Sequence, residues 1–439
     1  MYEVKIEDIS FLGKGVTKIN GYTVFVDGGI TGDILKIELY ERKKRFGLAR
    51  IVEIISPSPY RIQSDSKALD NIPLQFLNYE KELKLKRKWI YDTLSRNVDI
   101  NEDLIQEVIG MNDPDGYRNK AQIPVRNIDG KVELGIFKNK SREFIPVENF
   151  YVYDKEINES AIILRDIFNE IGLKAYDIKT GEGTIRNIIL RKGHYTNEIM
   201  IVIVAFQSFE VYYDSLIKLI LERIPNTVSV IENINTSMKH EGMGRESNIL
   251  FGQDRYYDKL FDYTFAISSK SFYQVNTLQT EILYRTAIQK ANIAKTEIWL
   301  DAFSGIGTMS ILMAEKAKYV YGIEIVEDAV KMANINKEIN EINNVEFICG
   351  DVENETLKLK GIDGIIVDPP RAGLGRMFIE FIMNLKPEKF VYVSCNPVTL
   401  AQDLKKLTNV YSIKSVQPVD MFPHTPHVET VVLMSRVDK

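Results

Sequence analysis

Cysteine, tryptophan and histidine are scarce in this sequence. Its 439 residues include two cysteines, two tryptophans and four histidines. Two cysteines cannot provide a disulfide framework for so long a chain, and this usage is typical of a reducing compartment. We therefore expect a cytoplasmic protein whose domains fold without disulfide bonds.

Long apolar runs and an excess of positive charge are missing as well. No uninterrupted apolar stretch could span a bilayer, and residues 1–5 alternate like a strand, unlike a signal peptide. We expect no membrane association. The net charge of −5 disfavours a nucleic-acid partner, since binding phosphate needs local positive charge. Two basic runs, at residues 42–45 and 81–88, could still supply that charge, or could simply be solvated surface.

The N-terminal part of the chain is rich in short alternating strands. Residues 1–57 are punctuated by glycines, which predicts a small OB-like β-barrel of five strands. Its basic run lies between two strands, where a loop could meet phosphate, and consists of Arg42, Lys43, Lys44 and Arg45. Residues 58–96 follow as a loop and a basic helix, Tyr79 to Arg96.

Residues 97–265 predict a central α+β domain. Helices are expected at 158–171 and 212–224, between several strand-like runs. The cluster Tyr117-Arg118-Asn119-Lys120 mixes an aromatic ring with two cations, and Arg186 begins a second basic segment. Aromatic stacking combined with Arg and Lys is typical of single-stranded RNA recognition. We expect Arg118, Lys120 and Arg186 to bind RNA; the alternative is that they mark exposed strand ends.

Residues 266–439 alternate apolar strands with helical segments, which predicts a doubly wound, mostly parallel sheet. Ligands bind such sheets at the carboxyl ends of the strands. There the sequence has the glycine loop 301–308 and then, after successive strands, Glu324, Asp351 and Asp368. The loop lacks the full GxGxxG spacing and a P-loop lysine. The pattern favours an S-adenosylmethionine site over the alternative of a dinucleotide site.

Cys395 follows the apolar run 390–393 and precedes Asn396-Pro397. A lone cysteine at the end of a buried strand is a candidate nucleophile, although a small core residue is the alternative. Cys349, at the end of another strand, is expected to be such a core residue.

Several segments together resemble the RNA uracil-5-methyltransferase family of the RlmD/TrmA type, and residues 1–57 resemble its N-terminal TRAM domain. The segments are SSKSFYQVN at 268–276, the loop 301–307, DPPR at 368–371, VSCNP at 393–397 and the run from Val416 to Glu429. The resemblance implies a class I methyltransferase domain with a Rossmann-like fold. It also implies methylation of carbon 5 of uracil through a covalent bond from Cys395 to carbon 6, with Glu429 as the base.

The resemblance also assigns the binding residues. S-adenosylmethionine would be bound by Gln274, Phe303, Gly305, Thr308, Glu324, Asp351 and Asp368, and Arg371 would contact RNA. The barrel and the segment at 117–120 point to 23S rRNA as substrate. Methylation of tRNA is an alternative, and a non-catalytic RNA-binding assembly factor is another of a different class. The family implies a monomer.

One departure from the family concerns a 4Fe-4S cluster. Many members bind it with four cysteines after the barrel, and two of those positions are Leu69 and Ile72 here. A chain with two cysteines cannot complete such a cluster. We therefore expect no metal site and no iron-sulfur cluster, and we expect apolar packing to hold this loop instead.

Overall fold

The computed structural model describes residues 1–64, 72–138, 143–237 and 242–437. They form two compact units. Unit 1 comprises Met1–Pro114, Pro369–Ile379 and Phe390–Lys439, and unit 2 comprises Asp115–Asp368 and Glu380–Lys389.

Unit 1 begins with a six-stranded sheet in the order β1-β5-β6-β4-β3-β2. Its strands are β1 (Tyr2–Lys5), β2 (Asp8–Ile9), β3 (Gly15–Ile19), β4 (Tyr22–Asp27), β5 (Ile34–Arg42) and β6 (Phe46–Ser56). Alternating residues such as Val24, Val26, Leu35 and Ile37 are fully buried in its core. The predicted N-terminal β module is confirmed, with six strands where five were expected.

Helix α1 (Tyr79–Leu94) follows, capped by the Asn78 side chain, which accepts from the Lys81 amide at 3.3 Å. Trp89 donates from Nε1 to the carbonyl of Ile9 at 3.3 Å. Its ring belongs to a buried apolar cluster with Ile9, Ile30, Leu74, Leu77 and Leu85. The helix thus packs against the N-terminal sheet, and it ends two residues earlier than the sequence pattern suggests.

The C-terminal part of unit 1 contains the strand and helix on either side of Cys395. Its elements are β20 (Lys389–Ser394), α9 (Pro397–Leu407), β21 (Tyr411–Val419) and β22 (Glu429–Arg436). β21 and β22 pair antiparallel. Helix α8 (Arg376–Leu385) crosses the division between the units.

Unit 2 begins with a seven-stranded mixed sheet in the order β13-β12-β11-β10-β7-β8-β9. Its strands are β7 (Lys120–Ile128), β8 (Lys131–Phe137), β9 (Phe144–Pro146), β10 (Ile185–Lys192), β11 (Ile199–Ala205), β12 (Thr227–Ile234) and β13 (Glu246–Gly252). Helices α2 (Lys155–Ile171) and α3 (Tyr213–Arg223) pack on it, close to where they were expected.

A hairpin and a helix precede the parallel sheet of unit 2: β14 (Arg255–Leu260), β15 (Tyr263–Ser268) and α4 (Thr277–Ala291). The strands that unit 2 contributes to this sheet are β16 (Ile298–Ala302), β17 (Tyr319–Glu324), β18 (Val345–Cys349) and β19 (Gly364–Val367). They are parallel, in the order β18-β17-β16-β19. Helices α5 (Thr308–Ala314), α6 (Glu327–Ile339) and α7 (Val352–Glu355) connect them. The strand order reverses at β16, as it does in Rossmann-like folds. This confirms the predicted doubly wound, mostly parallel sheet.

None of the helices in the described part of the chain combines the length and the apolar character needed to cross a bilayer. The domain boundaries expected after residues 57, 96 and 265 stay predictions.

Candidate active site

The loop after β16 allows a ligand to approach the backbone closely. Phe303, Gly305 and Gly307 have positive φ angles of 71°, 55° and 83°. A Cβ at position 307 would lie 2.5 Å from the ring of Phe347, so only glycine fits there. The Phe303 amide donates to the carbonyl of Ile323 on β17 at 3.0 Å. The loop is therefore fixed at the carboxyl end of β16, where parallel sheets bind ligands.

Three carboxylates come together in unit 2 at these strand ends. The pKa of Asp301 is raised to about 7, mainly by burial; a hydrogen bond from the Ser310 hydroxyl opposes this rise, and the charges of Asp368 and Glu324 add to it. Burial also raises the pKa of Asp368 to about 7. Ionising such a cluster is unfavourable unless a positive charge is close. The arrangement therefore suits a cationic ligand.

The side chains of Glu324 and Asp351 are oriented by backbone amides. Glu324 accepts from Gly305 at 3.0 Å and from Val326 at 2.9 Å. Asp351 caps α7 by accepting from the Glu353 amide at 2.8 Å. Both acids lie just where their strands end, as the sequence predicted.

Gln274 and Thr308 meet at a shared tyrosine. The Thr308 hydroxyl lies 3.4 Å from that of Tyr284, and the Gln274 side chain also hydrogen-bonds to Tyr284. The Gln274 carbonyl in turn accepts from Nδ2 of Asn119 at 3.0 Å. Both predicted residues are thus buried and held in place in unit 2.

These residues fit S-adenosylmethionine. Its sulfonium and ammonium groups would complement the carboxylates. The buried Ser304 hydroxyl has no hydrogen-bond partner within the described residues, so it is available to a ligand.

In unit 1, Cys395 lies between β20 and the N-terminus of α9, and it is partly exposed. Asn396 caps this helix by accepting from the Val398 amide at 3.1 Å, and Pro397 occupies its first turn. The positive end of a helix stabilises a thiolate. The surroundings of Cys395 therefore suit a nucleophile better than a packed core residue.

Arg371 links this helix to the segment before Glu429. Its carbonyl accepts from Asn396 Nδ2 at 3.0 Å and from the Thr399 hydroxyl at 3.2 Å. Its Nη2 lies 3.2 Å from Nε2 of His427. Glu429 follows two residues later, 3% exposed, as the first residue of β22.

A buried ion network on α1 holds the loop after β21. Lys86 lies 2.7 Å from Glu82 and 2.6 Å from Asp420, and all three side chains are fully buried. Tyr79 donates to Asp420 at 2.9 Å, and the amide of His424 donates to Glu82 at 2.8 Å. This part of the basic run at 81–88 is therefore internal, neither solvated nor available to RNA. His424 is held in place by this network.

The basic run of the N-terminal sheet forms an exposed turn between β5 and β6. The guanidinium of Arg42 lies 5.7 Å from the ring centroid of Tyr22, and Lys43 lies 5.5 Å from that of Phe46. A groove of about 430 Å³ beside the turn is lined by Tyr2, Ile19, Asn20, Tyr22, Leu39, Arg42, Lys43 and Lys44. Aromatic rings next to cations are typical of single-stranded nucleic-acid sites.

The side chain of Arg186 makes structural hydrogen bonds within unit 2. It is 6% exposed, and its Nη1 donates to the carbonyls of Asn235 at 2.8 Å and Ser237 at 2.7 Å. Its predicted contact with RNA stays a prediction.

The expectation that Cys349 is a core residue is wrong, because its side chain is exposed. It is the last residue of β18, an edge strand, and the sheet ends there.

The structure describes only part of the segment that corresponds to the iron-sulfur cluster site of the family. Leu69 lies outside the described residues. Ile72 is 2% exposed, and the neighbouring Leu74 and Leu77 belong to the apolar cluster around Trp89. Across residues 1–64, 72–138, 143–237 and 242–437, no three His, Cys, Asp or Glu side chains are grouped as a metal site. The absence of a cluster stays a prediction.

Some site residues were missed from the sequence. Asp301 lies at a strand end as Glu324 does, but in the sequence nothing distinguishes it from the glycine loop 301–308. Nothing in the sequence marks Tyr284, which lies within a helix.

Two family profiles match this chain. The profile of tRNA (uracil-5-)-methyltransferases matches residues 78–437, and that of the TRAM domain matches residues 1–52. Similar proteins include uncharacterized RNA methyltransferases of Oceanobacillus iheyensis and Enterococcus faecalis. The first is 39% identical over 98% of this chain and 95% of its own length, and the second 38% identical over 99% and 97%.

Among solved structures, the chain is similar to the tRNA (uracil-54, C5)-methyltransferase of Pyrococcus abyssi in complex with S-adenosyl-L-homocysteine. The identity is 28%, the TM-score is 0.82, and the match covers 99% of this chain and 100% of the other.

Proposed function

Because the chain belongs to the tRNA (uracil-5-)-methyltransferase family, we propose that it methylates carbon 5 of specific uridines in 23S rRNA, in the cytoplasm. The observation that carries the chemistry is the position of Cys395, partly exposed at the N-terminus of α9. A thiolate there is suited to attack an electron-poor ring carbon.

Cys395 is the nucleophile in this proposal. Its sulfur forms a bond to carbon 6 of the uracil, which makes carbon 5 nucleophilic. Carbon 5 then takes the methyl group. Glu429 removes the remaining proton from carbon 5, the bond from sulfur to carbon 6 breaks, and the ring double bond and the thiolate are restored.

S-adenosylmethionine supplies the electrophilic methyl group. We assign the ribose to Glu324, the adenine to Asp351 and packing along the cofactor to Phe303. Asp301 and Asp368 would favour the cationic end, with Gln274 and Thr308 beside it.

The choice of 23S rRNA rests on the TRAM domain and on the segment Tyr117-Arg118-Asn119-Lys120. The target uracil must leave its stack to reach a protein pocket, so the RNA is bound as a refolded single strand. Arg42 to Arg45 and Arg371 are exposed cations suited to its phosphates. Methylation of tRNA is the second candidate, favoured by the similarity to the Pyrococcus abyssi enzyme.

A deletion strain tests the proposal. Nucleoside mass mapping of its 23S rRNA and tRNA is expected to show loss of 5-methyluridine from 23S rRNA alone. The wild-type gene should restore it, and the Cys395→Ala variant should not, although it still binds RNA. Glu429→Gln should accumulate a covalent RNA adduct. Loss from tRNA alone would favour the second candidate, and turnover by Cys395→Ala would refute the mechanism.

A further inference from the structure

Two neighbouring strands of unit 2 place like charges opposite each other. Lys120 on β7 is the direct cross-strand partner of Arg191 on β10. Arg118 lies two residues before Lys120, just ahead of β7, and is close enough for its charge to act on Lys120. Like charges directly opposite in a sheet are destabilising. We call Arg118, Lys120 and Arg191 the cation triad.

The triad has no carboxylate partner within the described residues. Arg191 is 2% exposed and donates from Nη2 to the carbonyls of Ser269 at 3.0 Å and Ser271 at 2.7 Å. The guanidinium of Arg118 lies over the ring of Tyr153 at 5.9 Å. The Nε atoms of both arginines are buried and make no hydrogen bond. The positive charge of the triad is therefore left uncompensated.

The next residue of β10, Lys192, is a cation that does have carboxylate partners. Lys192 lies 3.0 Å from Asp154 and 3.3 Å from Glu156. In the triad, by contrast, the pKa of Lys120 is lowered to about 7, mainly by burial and also by the charges of Arg191 and Arg118. An anion at the triad would relieve this repulsion.

We propose that the cation triad binds a phosphodiester group of the RNA substrate, close to the target uridine. The proposal rests on the proposed function and adds Arg191 to the RNA-binding residues. A phosphodiester carries one charge and oxygens that accept from several donors at once, which matches two guanidinium groups and one ammonium group.

The neighbouring loop supports a nucleotide over a free anion. Arg191 fixes the carbonyls of Ser269 and Ser271, just before Phe272, and Phe272 is 70% exposed and available to stack on a base. Asn119, between the two other triad residues, holds the carbonyl of Gln274. Gln274 is assigned to the site of methyl transfer, so a phosphate at the triad would position the nucleotide beside it.

The test compares Lys120→Met, Lys120→Arg and Lys131→Met. Lys131 is an exposed cation at the start of β8 and serves as the control. The substrate is RNA from the deletion strain. Lys120→Met is expected to raise the KM for RNA about tenfold with kcat little changed, and to reduce the slope of log affinity against log salt by about 0.7. Lys120→Arg should keep the wild-type slope.

A structural role would give a different result. Removing a repelled cation should leave the melting temperature unchanged or raise it, whereas loss of a structural contact would lower it. Should Lys120→Met be unstable, Arg118→Met is measured in its place with the same expectation. An unchanged KM and slope would refute the proposal. Weaker binding of S-adenosylmethionine without RNA would also refute it, because the bound anion would then be the cofactor carboxylate.

Filter binding of the same RNA separates this proposal from the proposed function. If the wild type transfers no methyl group, the proposed function fails. The triad still predicts weaker, less salt-dependent RNA binding by Lys120→Met in that case, and equal binding by both proteins would refute it.

Discussion

Asp301 and Asp368 show how single residues connect the fold to ligand binding. Both pKa values are raised to about 7 by burial, so the folded apo protein binds more protons than the unfolded chain between about pH 4 and pH 7. The contribution of these two carboxyl groups to the free energy of unfolding therefore falls as the pH rises through that window. A cation bound beside these carboxyl groups lowers their pKa and so reverses this loss of stability with rising pH.

We expect the affinity for S-adenosylmethionine to increase between pH 6 and pH 8, because binding the cationic cofactor favours the ionised carboxylates. Calorimetry in buffers of different ionisation enthalpy should show protons released on binding near pH 7. Asp301→Asn should bind more weakly at pH 8, about tenfold, and with a smaller pH dependence. Affinity that is independent of pH in the wild type would contradict the assignment.

Single residues also show which parts of the site the sequence could predict. Glu324, Asp351 and Asp368 were predicted from their positions alone, because strand ends meet at one edge of a parallel sheet. Cys349 occupies a similar position, yet it is exposed because its strand lies at the edge, which local sequence does not show. Arg191 belongs to the basic segment that begins at Arg186, but its pairing with Lys120 could not be predicted because the two residues are distant in sequence.

Helix α1 illustrates the same limit for a whole element. The sequence predicts the helix, but it places Lys86 in a basic run, residues 81–88, that would face RNA or water. The third member of the network, Asp420, comes from the distant end of the chain. Burial alone would lower the pKa of Lys86, but the two carboxylates outweigh it and leave the pKa raised.

Lys86→Met is expected to reduce the free energy of unfolding by about 3–5 kcal/mol, because it leaves two buried carboxylates without a cation. It should also lower kcat, since the loop from Asp420 leads to Glu429. Urea unfolding measures the first effect. Lys88→Met is the control: Lys88 is half-exposed and pairs with Asp8 at 2.7 Å, so about 0.5 kcal/mol is expected. Equal stability of the two variants would show that the buried network contributes little.

For the whole molecule, the net charge of −5 means that RNA must be attracted by local groups. The turn at residues 42–45 is one such group, exposed on the N-terminal sheet of unit 1. Its contribution should therefore depend on salt.

Replacing Arg42, Lys43, Lys44 and Arg45 with Gln is expected to weaken RNA binding at least tenfold at low salt. The slope of log affinity against log salt should fall by roughly 0.7 for each lost phosphate contact. Binding of S-adenosylmethionine should not change. The matched control replaces four other exposed cations and lowers the net charge equally: Lys316, Lys318, Lys358 and Lys360. Equal losses of RNA affinity in the two variants would mean that only the total charge of the protein determines RNA binding.

The contact between Lys86 and Asp420 also has a consequence for biosynthesis. The two residues are 334 positions apart, and both belong to unit 1, whereas most of unit 2 is one continuous stretch, Asp115–Asp368. At typical rates of translation, Lys86 emerges from the ribosome on the order of tens of seconds before its partner. Unit 2 can thus begin to fold during synthesis, while helix α1 keeps its lysine hydrated until the last part of the chain is released.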